Sequence, residues 1–208
     1  MKELIQSIVE ETISSLPDQT LPCPDEISYY VLEKERKIFL EFDVDPNIMA
    51  IYRMIMRWNI EDSGVEVEKR RPIKLYIMSY GGNIDYMWAL LDAIRLSRTP
   101  VHTINVGVAA SAAALLFMSG HVRFMLPNAK VMIHEGSAQF AGDANKVMDA
   151  SDSYKKELAR MKEFILAATK IPKAQLNKKR NNDWELDAGH CLEYGVCDHI
   201  VQNMDEVL

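Results

Sequence analysis

Apolar positions along this chain alternate between two spacings, one suited to strands and one to helices. Lys37-Ile38-Phe39-Leu40-Glu41-Phe42 is a short β-rich run. Asp45-Pro46-Asn47 then opens a helix, with proline near its first turn, that runs to about Asn59 on an apolar set of Ile48, Ile51, Tyr52, Ile55 and Met56. Ile73–Met78 reads as a second strand, Ser79-Tyr80-Gly81-Gly82-Asn83 as a tight turn, and Ile84–Leu96 as a helix. Val101–Val106 is a third strand, followed by a sharp turn and a helix over Ser111–Ser119. This β-α-β-α order predicts an α/β fold with parallel strands and right-handed crossovers. Phe124-Met125-Leu126 and Lys130–His134 bracket a Pro127-Asn128 turn, and a polar stretch covers residues 135–143. A long helix follows, from about Ala144 to Thr169, with an inner stripe of Val147, Ser151, Tyr154, Leu158, Met161 and Ile165. The stripe repeats every three or four residues, close to a coiled-coil seam, so it can pack on a helix of another subunit. Pro172 ends that run. Asp187 caps a short helix ending at Gly195, and Val196–Val201 forms a last strand.

The N-terminal stretch is different. Residues 2–15 predict an amphipathic helix on Leu4, Ile5, Ile8, Val9 and Ile13, and residues 16–26 hold three prolines without periodicity. The chain therefore divides into an N-terminal helix and linker, 1–26, and a main domain, 27–208. Residues 61–71 are charged and read as a surface excursion. A net charge of −6 argues against a nucleic-acid surface. The most apolar run, Val106 to Met118, is too short to span a bilayer, and the N-terminus lacks the uninterrupted apolar region of a signal peptide. Three cysteines are too few for a disulfide scaffold, so a cytoplasmic protein is expected. His190, Cys191, Cys197 and His199 fit no zinc-finger spacing, and neither a metal nor a cofactor is expected. Lys69-Arg70-Arg71 and Lys178-Lys179-Arg180 read as solvated surface, and Trp88 as core. Most of the twelve methionines, Met54, Met56 and Met118 among them, fall on inferred core faces.

The candidate chemistry centres on Gly107-Val108-Ala109-Ala110-Ser111-Ala112-Ala113-Ala114. Here a lone serine, flanked by small residues, stands where a strand gives way to a helix. Unpaired N–H groups and the positive end of the helix dipole favour a nucleophile at such a place, but they equally favour an N-cap serine. A serine nucleophile also needs a base, an orienting acid and an oxyanion hole. His134 closes an apolar strand ahead of a polar loop. Asp183 lies in the loop Asn181-Asn182-Asp183-Trp184. Gly81-Gly82 follows a strand, where backbone N–H groups are free to donate.

Four stretches resemble the proteolytic subunit of the Clp protease (ClpP). They are Leu75-Tyr76-Ile77-Met78-Ser79-Tyr80-Gly81-Gly82, the alanine-rich segment around Ser111, Arg123-Phe124-Met125-Leu126-Pro127-Asn128 continuing to Met132-Ile133-His134, and Asp183 followed by Glu193-Tyr194-Gly195-Val196-Cys197-Asp198. Their order and spacing agree with that family over roughly residues 30–201. The resemblance implies a crotonase-like β-α-β spiral with a protruding long-helix handle at about 135–170. It implies a serine endopeptidase in which Ser111 is the nucleophile, His134 the base and Asp183 its orienting acid. The backbone N–H groups of Gly82 and Ala112 would form the oxyanion hole. It also implies heptameric rings stacked into a tetradecamer, fed with unfolded protein by a hexameric AAA+ ATPase, because this chain has no G-x-x-x-x-G-K-[ST] loop of its own. The polar stretch Glu135–Asp143 would correspond to a strand beside the substrate.

Several positions depart from the family pattern. Tyr80 stands where a proline is usual before Gly-Gly, Glu135-Gly136 replaces a Gln-Pro pair, and Asn181, Asn182 and Trp184 surround Asp183 where an acid–arginine pair is common. The first 30 residues do not resemble the family's axial hairpin, so the chain reads as a divergent member. Two rivals share the fold: a catalytically silent ring subunit, and a crotonase-type acyl-CoA enzyme, which would not need serine, histidine and aspartate in this register.

Overall fold

The computed structural model describes residues 24–179 and 182–208. The helix expected over 2–15 and most of the linker expected over 16–26 lie outside these. The described residues fall into two units, one ending at Glu35 and one from Arg36 to Leu208. In the first, helix α1 (Pro24–Lys34) begins inside the stretch read as linker, with Pro24 at its first position, where a missing N–H costs nothing.

The second unit is built on a seven-stranded sheet. Strands β1 (Lys37–Leu40), β2 (Ile73–Ser79), β3 (Val101–Ala110), β4 (Val122–Met125) and β7 (His199–Ile200) lie side by side, all parallel. The helices α2 (Met49–Glu61), α3 (Ile84–Leu96) and α4 (Ala112–Met118) connect them. Their apolar stripes bury Trp58, Leu91, Ile94 and Phe117 against the inward faces of Ile38, Leu75 and Ile77. The α2 stripe differs from expectation. Trp58 is inside and Met56 is 49% exposed: Ile51, Ile55 and Trp58, four and three residues apart, share the buried face, and Met56 lies about 100° round the helix from Ile55.

Strand β3 is longer than the expected Val101–Val106 and forks. Its first half pairs with β4 at His102–Asn105; its second half pairs with β5 (Lys130–Ile133) at Val108–Ala110. So the two strands around Pro127-Asn128 do not pair with each other but continue one another along β3. Buried Asn105 closes the fork: its amide donates to the Lys130 carbonyl at 2.9 Å and its side-chain oxygen accepts from the Gly107 N–H. A buried carboxamide at a strand split satisfies backbone groups that would otherwise be costly orphans. Strand β6 (Trp184–Asp187), which the sequence reading did not expect and whose first residue, Trp184, it placed in a loop, runs antiparallel to β5. Asp187 then caps α7 (Ala188–Glu193) through the His190 N–H, as expected. A further helix, α6 (Lys173–Lys179), follows Pro172 directly. Proline there ends one helix and opens the next.

Helix α5 (Ala144–Ala168) is the expected handle, 25 residues long. Only Met161 and Ile165 of its stripe are buried; the stripe towards its N-terminal end is half-exposed. Its base is clamped to α3. Trp88 Nε1 donates to Glu157 at 2.8 Å, and the Arg160 guanidinium stacks 3.9 Å above the Trp88 ring. The expected strand over Glu135–Asp143 is not formed. The backbone there is irregular, and Gly136 and Gly142 adopt φ of 74° and 140°, which extended pairing does not use.

The outward face of the sheet carries its own apolar row, Phe39, Tyr76, Ile104 and Phe124. Residues 201–208 lie across it. Val207 is 1% exposed, its carbonyl accepts from the Tyr76 hydroxyl, and Lys74 Nζ donates to the Leu208 carbonyl.

The charged excursion at 61–71 is not simply surface. Asp62 and Arg70 are buried. Asp62 takes a bidentate pair from Arg36, 2.7 Å on each arm, and a hydrogen bond from Thr99 at 2.9 Å. This network ties the N-terminal edges of β1 and β3 to the end of α2. Asp62→Asn breaks it and is expected to cost about 3 kcal/mol of stability in denaturant unfolding. The hydrogen-bonded Arg36 holds the Asp62 carboxyl below its ordinary value. Its contribution is therefore complete above the unfolded carboxylate value of about 3.9 and is lost as pH falls through the lower folded one. In Asp62→Asn, unfolding on acidification should be correspondingly less steep.

Candidate active site

Ser111 is where β3 ends and α4 begins. Its φ of 55° and ψ of −124° lie in a region that residues with a Cβ seldom occupy. The sequence left two readings, cap or nucleophile, and Ser111 makes no side-chain cap bond to the helix. Instead its N–H donates to the Met132 carbonyl of β5 at 2.9 Å. That bond sets the serine two residues from His134 along the neighbouring strand.

The strained turn is packed against a second backbone. Gly81 and Gly82 have φ of 100° and 148°. A Cβ on Gly81 would stand 2.7 Å from the Ala110 carbonyl oxygen and 2.8 Å from the Ser111 Cβ; one on Gly82 would stand 2.5 Å from the Val44 carbonyl oxygen. The Val44 N–H donates to the Gly81 carbonyl and the Val44 carbonyl accepts from the Asn83 N–H, both at 2.7 Å, which holds the Gly-Gly turn in place. Asn83 then caps α3 through the N–H groups of Asp85 and Tyr86. Among the described residues, neither Gly82 N–H nor Ala112 N–H has a backbone acceptor. Two backbone donors thus lack a backbone acceptor where the glycine turn packs on the serine turn.

His134 and Asp183 meet through strand register. Ile133 of β5 opposes Trp184 of β6. The next antiparallel position pairs His134 with Asp183, and their Nδ1 and Oδ1 stand 3.2 Å apart. Alternation turns Ile133 and Trp184 into the core while His134 and Asp183 leave it. Among the described residues no hydrogen bond joins the Ser111 hydroxyl to His134, whose Nδ1 faces Asp183. Asn181 lies outside the described residues, and Asn182 N–H donates to the Lys179 carbonyl at 3.0 Å.

The departures from the family pattern also have places. Tyr80 is 72% exposed beside the glycine turn. The Glu135 carbonyl accepts from the Tyr154 hydroxyl at 2.8 Å, and a Cβ on Gly136 would crowd that same hydroxyl. Handle and loop are thereby stitched together immediately after His134. Trp184 forms one wall of an apolar cleft beside His134, with Met161 and Ile165 from α5 and Leu176 from α6. Lys162 and Lys179 stand on its rim. Neither was singled out as a site residue. The signal was slight: Lys162 follows a stripe residue, and Lys179 lies in a basic triplet that reads as surface.

The cysteines and histidines near the C-terminus do not converge. Cys191 and Cys197 are buried, with burial pushing both thiols up, Cys197 to about 11, and the His199 ring stacks on Phe124. Arg123 of the R-F-x-L-P-N stretch makes a bidentate pair with Asp198, at 2.6 and 3.0 Å, and donates to the Ala168 carbonyl at 2.9 Å. Two of the four resembling stretches are therefore joined by one side chain.

The Clp protease family model matches residues 25–204. Three relatives, each described as "ATP-dependent Clp protease proteolytic subunit 2", are 31% identical to this chain. That of Rhodococcus jostii (strain RHA1) aligns over 83% of this chain and 87% of its own length. That of Corynebacterium diphtheriae aligns over 84% and 86%, and that of Treponema pallidum (strain Nichols) over 64% and 67%. The chain belongs to the Clp protease family, as a divergent member with its crotonase/ClpP-like fold, and that is a family of serine peptidases. Among the described residues no helix is long and apolar enough to cross a membrane.

Gly81→Ala tests the close approach of the two turns. Its Cβ is expected to displace the Ser111 turn and lower the unfolding free energy by more than about 1 kcal/mol, read by denaturant unfolding and by the Ser111 backbone angles in a crystal of the variant. Gly64→Ala, with open space around the added carbon, should leave both unchanged.

Proposed function

We propose that this chain is a serine endopeptidase subunit in which Ser111, His134 and Asp183 form the catalytic triad. The observation that carries the reading is the His134–Asp183 pair, brought by strand register beside a serine held at positive φ. In this reading Ser111 Oγ attacks the carbonyl carbon of a peptide bond while His134 takes its proton. Asp183 fixes the ring tautomer that leaves the other nitrogen free to accept, and stabilises the imidazolium that results. Negative charge collects on the former carbonyl oxygen, and the unpaired N–H groups of Gly82 and Ala112 meet it. Collapse returns the proton from His134 to the leaving amine, giving an acyl-enzyme, which water then cleaves by the same route.

The assembly proposed with it is a barrel of stacked heptameric rings in the cytoplasm, supplied with unfolded chains by a hexameric AAA+ ATPase. Two features support it. The stripe of α5 is only half-covered within one subunit, as a helix awaiting a neighbour's helix would be. The relatives are named as ATP-dependent, whereas this sequence carries no phosphate-binding loop of the Walker type.

Kinetics on a fluorogenic peptide test the triad. Ser111→Ala is expected to lower kcat by about a millionfold, and Asp183→Asn by about ten-thousandfold, with particle mass by light scattering unchanged. Undiminished turnover in Ser111→Ala would end the assignment. Wild type that forms the particle but cleaves nothing, even with an ATPase of this type added, would instead favour the catalytically silent ring subunit.

A further inference from the structure

His134 stands where the strand ladder stops. Strand β5 ends at Ile133, and residues 134–141 belong to no helix or strand. The ring of His134 faces Asp183 at 3.2 Å, but the Asp183 side chain is 73% exposed. A pair so open to water restrains geometry weakly. A second hold on this segment comes from the long helix. The Tyr154 hydroxyl, half-buried on α5, donates to the Glu135 carbonyl at 2.8 Å, one residue beyond the histidine. Two further features are built around the same side chain. Gly136 turns at a φ of 74°, and a Cβ there would stand 3.2 Å from the Tyr154 oxygen. The Phe140 ring meets the Tyr154 ring edge-on, with centroids 6.0 Å apart. The loop thus wraps Tyr154 by a hydrogen bond at Glu135 and a ring contact at Phe140, and Gly136 between them leaves room for the hydroxyl. Burial, with the Glu135 carboxylate nearby, pushes that hydroxyl above its ordinary value, so it remains a donor at the pH where a histidine works as a base.

We propose that Tyr154 is a positioning residue for His134: its hydroxyl holds the backbone just after the base and so fixes where the imidazole stands relative to Ser111. The inference rests on the peptidase reading above and adds a residue to it. On its N-terminal side His134 is held by β5, where the Met132 carbonyl accepts from the Ser111 N–H at 2.9 Å and Ile133 pairs with Trp184. On its C-terminal side there is no such ladder. From Glu135 to Gly142 no backbone group makes a backbone hydrogen bond among the described residues. The bond from Tyr154 closes that open end. Tyr154 acts through placement alone, since its hydroxyl is spent on the Glu135 carbonyl. Displacing a reacting group by about 1 Å costs about a hundredfold in rate. Loss of one hydroxyl leaves the ladder and the Asp183 pair in place, so a smaller loss, about tenfold, is expected.

Tyr154→Phe removes the hydroxyl and keeps the ring that meets Phe140. The assembled full-length variant is compared with wild type on a fluorogenic peptide and in its rate of labelling by a fluorophosphonate. Turnover, kcat, is expected to fall about tenfold with KM changed by less than about twofold, and the second-order labelling rate should fall by a similar factor. Labelling separates the roles, because it needs Ser111 activated by its base but no bound peptide. A hydroxyl that served only stability would leave kcat and labelling unchanged in the folded particle. One that shaped only the substrate side of the loop would raise KM and leave labelling unchanged. Either result overturns the proposal while leaving the peptidase intact. Gly136→Ala reaches the same contact from the other side, since its Cβ crowds the hydroxyl. It should slow labelling about tenfold when Tyr154 is present and much less when residue 154 is already Phe. Equal slowing in both backgrounds overturns the proposal too. If Tyr154→Phe fails to assemble, Gly136→Ala decides alone, and an unslowed labelling rate sinks it. Wild type that neither cleaves nor labels overturns the peptidase reading as well.

Discussion

Everything at this site depends on two backbones lying closer than side chains would allow. The Gly81-Gly82 turn presses on the turn from Ala110 to Ala112, within 3 Å of where any Cβ on Gly81 would sit. Glycine on one side is therefore required, and small residues on the other follow from the same crowding: Ala109, Ala110, Ala112, Ala113 and Ala114 are all buried to 1% exposure or less. Packing from both directions is what can hold Ser111 at a φ of 55°, a conformation costing on the order of 1–3 kcal/mol unless the surroundings over-determine it. Beside this contact the Gly82 and Ala112 N–H groups have no backbone acceptor among the described residues. The strained serine and the glycine turn thus come from one steric fact.

The remaining pieces are hung from the forked strand β3. Because its second half pairs with β5 rather than β4, His134 is delivered to the serine's side of the sheet, and Asn105 seals the split that this leaves. The antiparallel addition of β6 brings Asp183 opposite His134 without any long-range search by a loop. The handle enters at the same place. Tyr154 holds the Glu135 carbonyl, and Glu157 and Arg160 grip Trp88. The helix, 25 residues long, is anchored at its base, half-bare along its stripe, and tied to the loop next to His134 by Tyr154.

Much of this was legible in the residues, and the reasons are physical. The α3 boundaries, Ile84–Leu96, followed from an Asn83 cap and an apolar period, both local signals. Ser111 could be named as a candidate because it stands among small residues where a strand gives way to a helix, His134 because it closes an apolar run ahead of a polar loop, and Asp183, a loop acid, only through the family resemblance that set their register. What escaped depended on pairing across the chain. The strand β6 is four residues long with a single charged outward face, and only its partner β5 makes it a strand. The extension of β3 through Gly107–Ala110 looked like a turn because small residues carry no β signal; β5 supplies it. Met56 looked apolar and was placed inside, but the buried face runs through Ile51, Ile55 and Trp58, which leaves Met56 outside. Asp62 and Arg70 looked like surface charge, and only their spatial neighbours Arg36 and Thr99 make their burial affordable. The lysines of the cleft rim were invisible for the same reason, since they lie on two helices that only the fold brings together.

The central claim is that Ser111 is an activated nucleophile and not a helix cap. The most direct measurement is the intact mass of wild type and Ser111→Ala after exposure to a fluorophosphonate, which reacts with serines made nucleophilic by a neighbouring base. Addition of one probe mass per subunit to wild type, and none to Ser111→Ala, is the expected result. Equal labelling of both proteins would contradict it, and so would a wild-type particle that stays unlabelled when an ATPase of the proposed kind is added.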